Sequence, residues 1–237
     1  MFTVTTADED ARTGRRAIYL HGGVYCYQID PVHWRFIARL AVETGATITV
    51  PIMPLAPDGT ASVVVPGVAD LITQLVDEVG GPNVSILGDS SGGGMALAVS
   101  MLLRDRGIAQ LGLIVLIAPW LDISGTDPRL AEIAPNDPWL AVAGTHAAGA
   151  LYRAELPESH PFVSPINGSL DGLGSIVMFC GTRDILNADA TRLVALAAAS
   201  GHPLEYHEGE GMLHVYPILP MPEGDAARAL IVAAMRR

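Results

Sequence analysis

The hydrophobic positions of this chain fall into two alternating patterns. Short, continuous, β-branched-rich runs occur at Ala17–Leu20, Ala46–Ile52, Val84–Leu87, Leu111–Ile117, Ser175–Cys180 and Leu204–His207. Continuous rather than alternating hydrophobicity marks strands covered on both faces, as in a parallel sheet. Between these runs, Trp34–Thr44, Val68–Val79, Gly92–Arg106 and Ala188–Ser200 carry apolar residues at helical spacing, and Asp225–Met235 predicts a closing helix. Strand and helix alternate, which predicts an α/β fold with a mainly parallel sheet and helices on both faces.

The rhythm breaks from Asp122 to about Leu173. No strand pattern occurs there, and Pro128, Pro135, Pro138, Pro157, Pro161 and Pro165 punctuate the segment around a helical piece at Leu140–Tyr152. A long insertion between strands reads as a lid over the end of the sheet where ligands bind. With no internal repeat, low-complexity tract or linker, residues 1–237 read as one domain carrying the lid-like insertion 122–173.

Composition narrows the chemistry. The 237 residues carry 14 basic against 25 acidic side chains, a net charge of −11, which argues against nucleic acid or an anionic membrane as partner. Every basic residue is arginine. The absence of lysine excludes a Walker P-loop, a pyridoxal Schiff base and a Ser-Lys dyad. Cys26 and Cys180 make no disulfide framework and no zinc spacing, and read as free thiols of a reducing compartment. The start carries Asp8, Glu9 and Asp10 without an apolar stretch, so a cytoplasmic location is expected.

Gly88-Asp89-Ser90-Ser91-Gly92 matches Gly-x-Ser-x-Gly between a predicted strand and a predicted helix. That setting defines a nucleophile elbow, in which a tight turn exposes the Ser90 hydroxyl and glycine flanks avoid clashes. Ser91 is excluded because Asp89, two residues before it, would crowd the turn. His21-Gly22-Gly23-Val24-Tyr25 follows the first predicted strand. Its candidate oxyanion-hole residues are Gly22, Gly23 and Val24, joined by Ser91, with the backbone N–H groups of Gly23, Val24 and Ser91 as donors.

The base is sought after the nucleophile, and three histidines follow the strand at Ser175–Cys180. His202 sits in a turn and His207 within a strand, whereas His214 lies in a loop just past a strand end, where catalytic groups of parallel sheets gather. His214 is the predicted base. Asp184, leaving the strand at Gly181-Thr182-Arg183, is the predicted orienting acid; its rival Asp189 reads as a helix-start residue. Cys26 lacks an elbow, His207-Glu208 lacks a second histidine for zinc, and Asn167-Gly168-Ser169 matches a glycosylation pattern by coincidence.

Together these motifs resemble the hormone-sensitive-lipase-like branch of the α/β-hydrolase superfamily, from about Ile18 to the C-terminus. His21 to Tyr25 is similar to its His-Gly-Gly-x-aromatic loop, Pro54 to Asp58 to its Leu-Ala-Pro-Glu segment, and Gly88 to Gly93 to its Gly-Asp-Ser-Ala-Gly-Gly elbow. Ser164-Pro165, Gly181 to Leu186 and Gly211-Met212-Leu213-His214 keep the family order. The resemblance implies an α/β-hydrolase fold, shortened at the N-terminus, because members carry a cap and further strands before this loop. Ile185 stands where the family has proline, and Ala188 where it often has an acid. The implied activity is hydrolysis of short-acyl carboxylic esters by Ser90, His214 and Asp184, without metal or cofactor. Lactone or amide hydrolysis by the same triad, or small-molecule binding without catalysis, are the alternatives. The expected partner is a small ester; oligomeric state is left open, a homodimer included.

Overall fold

The computed structural model describes residues 1–237. Its strands are β1 (Phe2–Val4), β2 (Arg16–Leu20), β3 (Thr47–Val50), β4 (Val84–Asp89), β5 (Leu113–Ile117), β6 (Ser175–Gly181) and β7 (Leu204–Gly209). They form one sheet in the order β1-β3-β2-β4-β5-β6-β7. All neighbours are parallel except β1, which runs antiparallel along β3. Apart from Ser85 and Ser175 near their starts, the central strands β4, β5 and β6 are buried, which is why their sequences show no alternation.

The helices are α1 (Pro31–Thr44), α2 (Ala61–Val79), α3 (Ser91–Asp105), α4 (Leu130–Ile133), α5 (Val142–Arg153), α6 (Asn187–Ser200) and α7 (Pro222–Arg236). Asp30 caps α1 by accepting the Val32 N–H at 2.8 Å, Pro31 occupies its first turn, and Gly45 ends it with φ 69°. Helix α4 has no counterpart in the sequence pattern, α1 starts at Pro31 rather than Trp34, and β1 and α2 depart from the pattern as well. Phe2–Val4 is too short for a periodicity signal, yet it adds an edge strand ahead of the predicted first one. Helix α2 begins at Ala61 rather than Val68 and continues through Pro66, because Ala61, Val64 and Val65 are buried and packing outweighs the lost backbone bond.

The segment Asp122–Leu173 contains α4 and α5 and no strand. No helix is long and apolar enough to cross a membrane. Register sets up the site. Leu20 of β2 pairs with Gly88 of β4, so the loops that follow these strands emerge side by side. Gly181 of β6 pairs with Gly209 of β7, which brings the loops carrying Asp184 and His214 together.

Candidate active site

Ser90 sits at the turn between β4 and α3 with φ 53° and ψ −123°, a conformation that a non-glycine residue holds only when its surroundings over-determine it. They do so here. The Ser90 N–H donates to the Ile117 carbonyl at 2.8 Å, and the Ser90 carbonyl accepts from Trp120 N–H at 2.9 Å and Gly94 N–H at 3.1 Å. A Cβ on Gly92 would overlap the Leu20 carbonyl, so only glycine lets α3 start this close to β2.

Asp184 is fully buried at the turn after β6. Its Oδ1 accepts the Leu186 N–H at 2.9 Å, and its Oδ2 accepts His214 Nδ1–H at 2.8 Å and the Cys180 thiol at 3.6 Å. The His214 loop is fastened to the Asp184 turn by Arg183 N–H to Met212 O at 3.0 Å and Gly211 N–H to Thr182 Oγ1 at 2.8 Å. Burial alone would lower the His214 pKa. The Asp184 carboxylate and its hydrogen bond, with weaker help from Asp89 and Asp137, outweigh burial and raise it above the ordinary 6.5. With Nδ1–H committed to Asp184, Nε2 is the ring's free acceptor.

His214 and Ser90 line the same cavity of about 340 Å³, together with Gly22, Gly23, Val24, Trp139 and Leu140. The rivals lie elsewhere. His207 pairs with Glu205 at 2.9 Å and stacks on Phe179, and His202 stays in the turn before β7. Asp189 is buried on α6, its carboxyl pushed up to about 7 by burial and by Asp122.

The loop after β2 is held in left-handed conformations at Gly23 (φ 119°), Val24 (φ 48°) and Tyr25 (φ 63°). The N–H groups of Gly23 and Val24 donate to no protein group, and that of Ser91 lies in the unpaired first turn of α3. Gly22, a residue of the same loop, is not among the expected donors. Its N–H donates to Asp89 Oδ1 at 3.0 Å and is spent. Tyr25 N–H is likewise taken, by Ser91 Oγ at 3.3 Å.

Trp139 and Leu140, from the segment between α4 and α5, form part of the cavity wall that the sequence did not announce. Nothing in their local pattern distinguishes them from surface apolar residues. They also border an adjoining groove of about 450 Å³, which shares Val24 and Tyr27 with the cavity and is otherwise lined mainly by apolar side chains of α5. Cys26 belongs to this groove, and burial pushes its thiol pKa up. A separate cavity of about 440 Å³ by Ser85 and Ser175 lies at the opposite ends of the strands, away from these groups.

A parallel sheet, a strained elbow serine and a buried Asp-His pair at the carboxyl ends of the strands define a class. The chain belongs to the α/β-hydrolase fold family, whose profile matches residues 17–218. Its relatives place it in the hormone-sensitive-lipase-like branch. A triacylglycerol lipase of Mycobacterium tuberculosis is 32% identical over 208 residues, covering 87% of this chain and 43% of the lipase. An acetyl-hydrolase of Streptomyces hygroscopicus is 28% identical over 93% of this chain and 74% of its own. The crystal structure of an esterase from the bacterial hormone-sensitive lipase family superposes with a TM-score of 0.91 at 27% identity, covering 96% of this chain and 78% of that one. The chain thus spans less than half of the lipase and about three quarters of the other two.

Proposed function

We propose that this chain is a serine hydrolase of short-acyl carboxylic esters, working through an acyl-enzyme. The observation that carries the reading is the 2.8 Å Asp184–His214 bond, which leaves His214 Nε2 free in a cavity that also exposes Ser90. Nε2 takes the Ser90 proton as Oγ attacks the ester carbonyl. Asp184 fixes the tautomer and stabilises the imidazolium. The N–H groups of Gly23, Val24 and Ser91 receive the oxyanion, each worth about 3 kcal/mol in the transition state. The imidazolium then protonates the departing alcohol, and Nε2 activates the water that releases the acid.

The apolar walls supplied by Val24, Trp139 and Leu140 support an ester with an uncharged acyl group, and the segment Asp122–Leu173 acts as the lid. Relatives named lipase, acetyl-hydrolase and esterase agree with this chemistry. Ser90→Ala is expected to lower hydrolysis of p-nitrophenyl acetate by about 10⁴-fold or more and to abolish labelling by a fluorophosphonate probe. Full activity in that variant would remove Ser90 as nucleophile. A parent chain that binds esters but neither hydrolyses them nor takes the label would point to binding alone.

A further inference from the structure

Asp89 lies beside the nucleophile in sequence and borders the same cavity, yet its carboxylate is engaged in a buried network. Only 2% of Asp89 is exposed. Its Oδ1 accepts Tyr19 O–H at 2.8 Å and Gly22 N–H at 3.0 Å, and its Oδ2 meets His33 Nε2 at 3.2 Å. His33 is itself buried in the first turn of α1, where its Nδ1 lies 3.3 Å from the Asp30 N–H and 3.2 Å from Asp30 Oδ1. Three elements therefore converge on one carboxylate: β2 through Tyr19, the loop after β2 through Gly22, and α1 through His33.

The loop needs such an anchor. Gly23, Val24 and Tyr25 all hold positive φ, and two of them carry side chains, at a cost of about 1–2 kcal/mol each. Strain of this kind persists only where neighbours fix it. Tyr25 is tied down by its N–H to Ser91 Oγ and by Ala56 N–H to Tyr25 O at 2.9 Å, and Gly23 O accepts the Cys26 and Tyr27 N–H groups; at Gly22 the carbonyl meets His21 Nδ1 at 2.6 Å, and the N–H is held by Asp89. A Cβ on Gly22 would overlap Asp89 Oδ2, so the carboxylate packs directly on the backbone it holds.

We propose that Asp89 is a positioning residue for the oxyanion hole: clamped by Tyr19 and His33, it grips Gly22 and thereby aims the N–H groups of Gly23 and Val24 at the carbonyl attacked by Ser90. The inference rests on the acyl-transfer reading above. It explains why a carboxylate that touches no reacting atom is buried next to the nucleophile. Burial alone would raise the Asp89 pKa, but the interactions with His33, Tyr19 and Gly22 outweigh it and lower it, so the anchor is charged when the site works. Because Asp89 directly precedes Ser90, one backbone segment sets both the nucleophile and the donors that must meet at one carbonyl carbon. Preorganised donors stabilise an oxyanion only when aimed beforehand.

Asp89→Asn keeps the shape but places an amide N–H₂ against one of the three donors. It is expected to lower kcat for p-nitrophenyl acetate by about 10- to 100-fold with KM changed less than about threefold. A trifluoromethyl ketone, whose serine adduct carries the oxyanion, should inhibit the variant more weakly by a similar factor, while the matching methyl ketone binds as before. A merely structural role would weaken both ketones alike, and that result would overturn the proposal. So would a kcat within about twofold of the parent. If Asp89→Asn does not fold, Tyr19→Phe and His33→Gln each remove one clamp; smaller losses of the same kind support the proposal, and no loss in either overturns it. Failure of the underlying reading has its own signature: a parent chain whose Ser90 takes no fluorophosphonate label.

Discussion

Trp139 sets its indole edge-on to the imidazole of His214, with ring centroids 6.1 Å apart and planes at 85°. The contact ties the segment between α4 and α5 to the proposed base, although more than half of Trp139 is exposed. The ring shields His214 on one side and borders both the cavity and the adjoining groove on the other.

Removing that ring should be felt by the acyl chain more than by the chemistry. Trp139→Ala is expected to raise KM for p-nitrophenyl butyrate by about tenfold, as loss of about 1.4 kcal/mol of aromatic contact would do, and to leave kcat within about threefold. Steady-state kinetics across acetate, butyrate and hexanoate would show the effect growing with chain length.

The Asp184–His214 bond is expected to set the pH response. With His214 as the proposed base, working in its neutral form, activity is expected to be low under acid conditions and to rise as pH passes the His214 pKa, which Asp184 holds above 6.5. Asp184→Asn removes the negative charge that outweighs burial. The midpoint of the kcat/KM profile should move to lower pH, and kcat should fall by about 10⁴-fold because the tautomer is no longer fixed. An unchanged midpoint would show that Asp184 does not set the imidazole.

Asp189 supplies a separate, stability-linked titration. Its folded carboxyl retains a proton up to about 7, whereas the unfolded chain releases it near 3.8. Between those values the folded state binds more protons, so stability falls as pH rises, and the loss is complete above about pH 7. The groups facing it are Asp122, Asp127 and Arg192. Asp189→Asn should therefore match the parent's Tm near pH 4 and exceed it by about 4 °C or more near pH 8, read by thermal unfolding at the two values.

Gly92 is fixed by close approach rather than by dihedral freedom. Gly92→Ala drives a methyl group into the carbonyls of Leu20 and His21, backbone that cannot rotate away. Urea unfolding should show a loss of about 2–3 kcal/mol, and any folded protein should label slowly at Ser90 because the elbow has shifted.

Much of the fold was legible because its signals are local. A strand buried on both faces must be continuously apolar, as Ile114–Ile117 and Ile176–Cys180 are, and an elbow needs glycine where chain meets chain, as at Gly92. Ser90, Asp184 and His214 could be proposed from sequence because each follows a predicted strand, and the parallel pairing sets the carboxyl ends of those strands on one side of the sheet. The strand Phe2–Val4 escaped because three residues carry no period, and its place depends on pairing with β3.

Primary order alone thus determined which residues end strands, where the chain must turn tightly, and which side chains to propose for acyl transfer. Tertiary structure decided which N–H groups remain free. Gly22 and Gly23 are indistinguishable as neighbours in sequence, yet Asp89 occupies one and leaves the other facing the cavity. It likewise decided that Trp139 meets His214 and that His33 meets Asp89. Such pairings depend on crossings between segments remote in the chain, and no local pattern of polarity encodes the distance at which two remote side chains come to rest.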